Sequence, residues 1–193
     1  MLSFFAALSL TALFLTRDAW LLPTLLVPIV VHELGHLLAL GLLGYHLRSL
    51  GLEARGLIIR YNGIGGWLYE VAAALAGPLA GMLYALLIFL VHEEIPDWLN
   101  VSGSVSLMLT GFNLLPILPL DGGRALGALC FRFLEKAEAE RLLRRISAAA
   151  MTLLLMAGTV LLFLQKSAAL LAAGLWLLAE NERLPLVKGR KLL

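Results

Sequence analysis

Long apolar runs separated by short polar segments run through most of this chain. They predict helices near residues 2–16, 20–44, 67–91, 101–119, 146–165 and 168–180, each read as a membrane span. The first and last are short for a hydrocarbon core of about 30 Å. Between the second and third spans, Leu47 to Asn62 mixes apolar and charged positions, is partly β-branched at Leu57-Ile58-Ile59 and ends on the turn signal Asn62-Gly63. A short strand or hairpin at the membrane surface is expected there. After the fourth span, Leu126, Leu129, Cys130, Phe133 and Leu134 recur at helical spacing ahead of the charged run Glu135 to Arg145, which predicts an amphipathic helix over 124–145. The expected fold class is an all-α polytopic membrane protein of about six transmembrane helices with one β-strand or hairpin, residues 1–193 forming a single integral membrane domain.

Composition sharpens this picture. With 61% hydrophobic residues, 15% charged residues and a mean hydropathy of +0.91, the chain is too apolar for an ordinary soluble domain of 193 residues. The stretch Leu2 to Thr16 has no basic leader and no small-residue cleavage site before a polar domain, so it reads as a retained first span. Of the 15 Lys and Arg residues, only Arg17 and Lys166 fall on one side of the six-span plan. The positive-inside rule then places both termini, and the 124–145 helix, in the cytoplasm. A bacterial cell membrane fits that asymmetry. The net charge of +2 is small and its basic residues are dispersed, which argues against nucleic acid as a partner. Cys130 is the single cysteine, so an internal disulfide and a cysteine-based metal cluster are excluded.

The second span carries the chemistry. His32-Glu33-Leu34-Gly35-His36 is an H-E-x-x-H sequence, and on a helix residues four apart share a face. Both imidazoles can then hold one Zn²⁺ with Glu33 beside the attacking water, an arrangement that implies peptide hydrolysis. Ionisable side chains at membrane depth are costly and mark function. His36 lies about 12 Å from the inner end of its span at 1.5 Å per residue, so the site is expected to open toward the cytoplasm. A catalytic zinc takes three protein ligands, and two acids compete to be the third. Glu70 is near the inner end of span 3, where it also reads as an interfacial carboxylate. Asp121 is favoured: it ends span 4 in Asn113-Leu-Leu-Pro-Ile-Leu-Pro-Leu-Asp121-Gly122-Gly123, where Pro116 and Pro119 break the helix and the glycines free the backbone. Gly63, Gly65 and Gly66 form a flexible segment placed to let a substrate backbone approach. Ala73, Gly77 and Gly81, at four-residue spacing, are expected to make a close helix–helix contact.

These motifs resemble the site-2 protease family of intramembrane metalloproteases (peptidase family M50). That family is marked by H-E-x-x-H on one span and an N-x-x-P-x-x-P-x-D-G pattern on a later one, matched here by Asn113, Pro116, Pro119, Asp121 and Gly122, with Ala76-Gly77-Pro78-Leu79 between them. The resemblance covers residues from about 30 to 125 and looks most like the sporulation-type branch. It implies that His32, His36 and Asp121 are zinc ligands, that Glu33 is the catalytic base, and that Asn113 holds substrate backbone. Pro119 and the three glycines complete the expected substrate-contacting set. The reaction implied is cleavage of a membrane-associated protein, such as a transcription-factor precursor, in or near its membrane segment. The partners implied are that substrate, the lipid bilayer and a membrane-protein inhibitor or regulator, with self-association left open. No PDZ domain interrupts the sequence and no nucleotide-sensing CBS domain follows it, so regulation by such a domain is not expected. Two other readings compete: a catalytically silent homologue that captures membrane helices, and a metal or ion transporter, which leaves Glu33 and the proline-broken aspartate loop unexplained.

Overall fold

The computed structural model describes residues 20–44, 46–53, 56–62, 66–91 and 95–183. The expected first span, 2–16, lies outside the described residues, as do Gly63 and Gly65. The architecture is nearly all helical. In chain order it comprises α1 (Leu21–Leu42), β1 (His46–Glu53), β2 (Gly56–Asn62), α2 (Trp67–Leu90), α3 (Asp97–Asn113), α4 (Asp121–Phe133), α5 (Lys136–Gln165) and α6 (Ala169–Arg183). Three of these, α1, α2 and α5, are long and apolar enough to cross a membrane. The chain divides into two compact units, Met1–Asn113 and Leu114–Leu193.

In the first unit α1, α2 and α3 pack on one another. Membrane helices gain little from hiding apolar surface from lipid, so close backbone approach and interhelical hydrogen bonds carry the association. Both are present. A Cβ at Gly35 of α1 would meet the Ala76 carbonyl oxygen and the Ala80 Cβ of α2, each at 2.6 Å, so only glycine lets these helices close. On the other face of α2, Ser106 Oγ donates to the Gly81 carbonyl at 2.8 Å, Thr110 Oγ1 to the Pro78 carbonyl at 3.4 Å, and Tyr84 Oη pairs with Ser102 Oγ at 2.9 Å. Pro28 and Pro78 sit inside α1 and α2, each removing one helical N–H. α1 stops where Gly44 turns left-handed (φ +74°). β1 and β2 then pair antiparallel, from His46 opposite Asn62 to Glu53 opposite Gly56, with an irregularity between Leu47 and Ser49.

Two boundaries differ from the sequence expectation. Where a fourth span is expected at 101–119 the structure has the 17-residue α3, which ends at Asn113 and is not among the helices long and apolar enough to cross; Pro116 and Pro119 cannot continue it. Residues 114–120 form a non-helical turn, and Asp121 opens a new helix rather than ending span 4. The helix expected over 124–145 is also divided. Leu134 and Glu135 are extended (ψ 155° and 150°), so its first half belongs to α4 and its charged half begins α5. At 30 residues α5 is about 45 Å long, enough to cross the hydrocarbon and carry Lys136, Glu138, Glu140, Arg141, Arg144 and Arg145 beyond it. The last expected span is α6, whose apolar part, Ala169–Glu180, is short for a crossing.

The second unit is built on contacts of α5 with α4 and α6. Cys130, Ala139 and Leu143 form a buried cluster joined by Leu126 and Phe131, and burial pushes the Cys130 thiol up from its usual pKa. Gly158 of α5 faces the Leu171 backbone of α6, where a Cβ would meet Leu171 Cα at 2.8 Å. The outward side chains of α5, including Leu153, Phe163 and Leu164, are exposed and apolar, as a lipid-facing surface requires.

Candidate metal centre

Regular α-helix from Leu21 to Leu42 stacks His32 and His36 one turn apart, and both are buried. Their Nε2 atoms stand 3.2 Å apart, with the rings nearly perpendicular at 80°. The tautomer of His36 follows from its other nitrogen. Nδ1 lies 2.7 Å from the Ala73 carbonyl oxygen, which can only accept, so Nδ1 carries the proton and Nε2 keeps its lone pair. Such an outer hydrogen bond is the usual means of fixing a metal-ligating imidazole.

The separation is a test of fit. Two nitrogens about 2.0–2.1 Å from one tetrahedral zinc lie roughly 3.3–3.4 Å from each other. The observed 3.2 Å is that spacing within a tenth or two of an ångström. A cation between the two nitrogens can be accommodated with little movement of either ring. Neutral imidazoles with a carboxylate suit zinc, and His32, His36 and Asp121 are all buried donors of these types.

Gly77 makes the room. A Cβ there would overlap His36 Nε2 and lie 2.7 Å from both Cδ2 and Cε1 of the ring. The sequence spacing of Ala73, Gly77 and Gly81 predicts helix packing alone. Gly81 does pack on Thr110 and Ser106, but Ala73 holds the His36 ring through its carbonyl and Gly77 accommodates that ring. The signal available was the four-residue repeat facing a helix that carries histidines at the same spacing. Glu33 follows His32 and is half-buried.

Asn113 ends α3 and is fully buried. Its Nδ2 donates to the Leu109 carbonyl at 3.0 Å, which fixes the orientation of the amide, while Oδ1 has no partner among the described residues. A buried acceptor without a donor costs about 1–3 kcal/mol, so a donor beyond the described residues is expected at Oδ1.

Asp121 is the first residue of α4, 4% exposed, where the helix dipole favours an anion. The preceding turn is anchored by Ile117 and Leu120, both wholly buried, and Pro119 follows Leu118 through a cis peptide. Gly122 and Gly123 lie against its backbone: a Cβ on Gly122 would overlap the Leu114 carbonyl, and one on Gly123 would sit 2.5 Å from the Ile117 carbonyl carbon. Their role is close packing as much as backbone freedom. Ser147 Oγ of α5 donates to the Pro116 carbonyl at 3.1 Å, and Arg124 Nη1 lies 3.3 Å from Asp121 Oδ1. Neither Ser147 nor Arg124 was singled out from sequence. Gly66 precedes α2, is exposed and has open space where a Cβ would be, and Glu70 lies in the first turn of α2, partly exposed.

Residues 91–157 match the family model described as peptidase family M50, a stretch that includes Asn113 and Asp121. A zinc metalloprotease of Methanocaldococcus jannaschii is 30% identical over 121 residues, 54% of this chain and 32% of that protein. A relative from Synechocystis is 30% identical over 115 residues, 56% of this chain and 30% of its own length. The matched stretch is thus about a third of the length of these relatives. Among solved structures, the site-2 protease from Methanocaldococcus jannaschii superposes with a TM-score of 0.68 at 22% identity, covering 98% of this chain and 90% of that one. That likeness establishes the fold. In sequence, then, the chain is similar to peptidase family M50 over residues 91–157 and to these two relatives over about half of its length.

Proposed function

With peptidase family M50 supported by family match, metalloprotease relatives and fold, we propose that this chain is an intramembrane zinc metalloprotease, cleaving a membrane-associated protein in or near its membrane segment. The observation that carries the reading is the His32–His36 pair: two Nε2 atoms 3.2 Å apart, one with its tautomer set by the Ala73 carbonyl. His32, His36 and Asp121 would hold the zinc, which when bound supplies Lewis acidity to water and to the scissile carbonyl. Glu33 acts as general base toward the attacking water and returns that proton to the leaving amine. Asn113 accepts a substrate backbone N–H on Oδ1, the oxygen that no group of the described chain engages.

A helical substrate hides its carbonyls, so it must unwind to be cut. Strand addition to the β1–β2 pair is the proposed way to present it, with Gly63, Gly65 and Gly66 and Pro119 beside the bound backbone. Six spans, cytoplasmic termini and a cytoplasm-facing site in a bacterial membrane belong to the same proposal and rest on the Lys and Arg distribution. The sporulation-type branch, with a transcription-factor precursor as substrate and a membrane-protein regulator, rests on the sequence resemblance.

The test is co-expression with single-span and membrane-tethered substrates, comparing wild type with Glu33→Gln and Asp121→Asn and measuring bound zinc in each. Cleavage that needs both residues, with zinc kept in Glu33→Gln and weakened in Asp121→Asn, is the expected result. Purified wild type that binds no zinc overturns the reading.

A further inference from the structure

We propose that Arg124 is a positioning residue for the Asp121 carboxylate: it holds one oxygen so that the group is presented in a single orientation to a metal. The inference rests on the reading of Asp121 as the third zinc ligand. Asp121 is buried, with its side chain 5% exposed, whereas the Arg124 side chain is 44% exposed and returns over one helical turn to place Nη1 3.3 Å from Oδ1. Solvent screens the exposed guanidinium, so the pair adds less to folding than a fully buried one would. Its effect is felt at the buried end. A carboxylate at a helix start rotates about two side-chain torsions, and a donor on one oxygen removes most of that freedom.

Three features of the second unit hold the two residues in this relation. Arg124 N donates to the Leu120 carbonyl at 3.0 Å, closing the first turn of α4 around Asp121. Gly122 and Gly123, between the two, press the helix start onto the 114–118 backbone. The turn itself is tied to α5 through Ser147 and the Pro116 carbonyl. With backbone and turn fixed, the carboxylate torsions are the remaining freedom, and Arg124 acts on them. Outer partners of metal-ligating groups typically change metal affinity 10–100-fold when removed. Arg124 is not the only partner of Asp121, so the loss on its removal is expected to be partial.

The full-length chain in detergent, titrated with zinc against a competing chelator, provides a readout independent of cleavage. Arg124→Ala is expected to weaken zinc binding about 10-fold or more, and Arg124→Lys to recover most of it. In the Asp121→Asn background, adding Arg124→Ala should cause no further loss, because the arginine acts only through that carboxylate. Zinc bound as tightly by Arg124→Ala as by wild type overturns the proposal, as does an equal loss with and without Asp121. Should Arg124→Ala not fold, Arg124→Met keeps the apolar stem and carries the same expectations. Wild type that binds no zinc overturns the parent reading and this inference together. Zinc lost in Asp121→Asn but retained in Arg124→Ala overturns this inference alone.

Discussion

The helix that carries the histidines and the turn that leads to the aspartate hold buried polar atoms still by different means. On α1 the regular backbone does most of the work: four-residue spacing sets the rings one above the other, and a single bond from His36 Nδ1 to the Ala73 carbonyl selects the tautomer. At Asp121 there is no regular backbone before the residue. Two prolines end α3, and the turn is held by buried Ile117 and Leu120, two glycines packed against carbonyls, and one serine hydroxyl from α5. The histidine pair needs its helix, one carbonyl and the space at Gly77, whereas an aspartate after a break needs a whole turn held around it. Substitutions of the histidines on α1 should therefore act on metal binding with little effect on stability, and those around the turn should act on both.

The largest effect is expected from the histidines themselves. On the proposed zinc site, His36→Ala should lower zinc affinity by more than about 100-fold and abolish cleavage, since it would remove a ligand rather than an outer partner. Size-exclusion behaviour and the melting temperature of the zinc-free chain should stay close to wild type. A large loss of folding in the absence of zinc would show that the pair serves packing and would erase the contrast.

Next are the glycines. Gly77→Ala places a Cβ against the His36 ring, and Gly122→Ala places one against the Leu114 carbonyl. Overpacking of this kind costs about 1–3 kcal/mol. The imidazole can turn away where a backbone carbonyl cannot, so Gly77→Ala should lose zinc with modest destabilisation and Gly122→Ala should lower the melting temperature as well. Chelator titration and thermal unfolding, run side by side on both variants, separate the two. Equal thermal losses would contradict the distinction between a movable ring and a fixed turn.

The same contrast explains what could be read from sequence. The stacking of His32 and His36 was legible because it is set by helical periodicity, which a single sequence contains. The α1 and α2 boundaries were legible too, since long apolar runs end where glycine and polar residues begin. Asp121 was legible as a residue but not in its placement: Pro116 and Pro119 announce a break, yet only the fold shows that the break ends α3 at Asn113 and that Asp121 starts another helix. The division between α4 and α5 was not legible, because Leu134-Glu135 holds no breaker residue and local propensity favours helix across it. Gly77, Ser147 and Arg124 escaped for a different reason. Their roles lie in contacts with residues 3 to 41 positions away, and a glycine, a serine and one arginine among fifteen basic residues carry no local mark.

Asn113 sharpens the comparison from the boundary of the two regions. Replacing it by leucine removes a buried acceptor without a donor, a gain of about 1–3 kcal/mol, and loses the bond to Leu109, about 0.5–1.5 kcal/mol. Stability should therefore be unchanged or slightly raised while cleavage falls through KM, with zinc content intact. A fall in both stability and zinc would show that Oδ1 serves the fold rather than a substrate backbone.

Ser147→Ala should have the smallest effect and is specific to the turn. It removes one hydrogen bond to the Pro116 carbonyl, worth about 0.5–1.5 kcal/mol, from a turn whose apolar anchors stay in place. The melting temperature should drop by a few degrees at most, and zinc affinity by roughly two- to fivefold, since the aspartate gains a little freedom without losing its arginine. The matching substitution on α1 is at Thr24, which donates to the Trp20 carbonyl at 2.8 Å and is also buried. Thr24→Val should cost comparable stability but leave zinc affinity unchanged, because the histidines depend on helix that continues for two turns without it. If the two variants lowered zinc affinity equally, the aspartate turn would be no more dependent on its surroundings than the histidine helix.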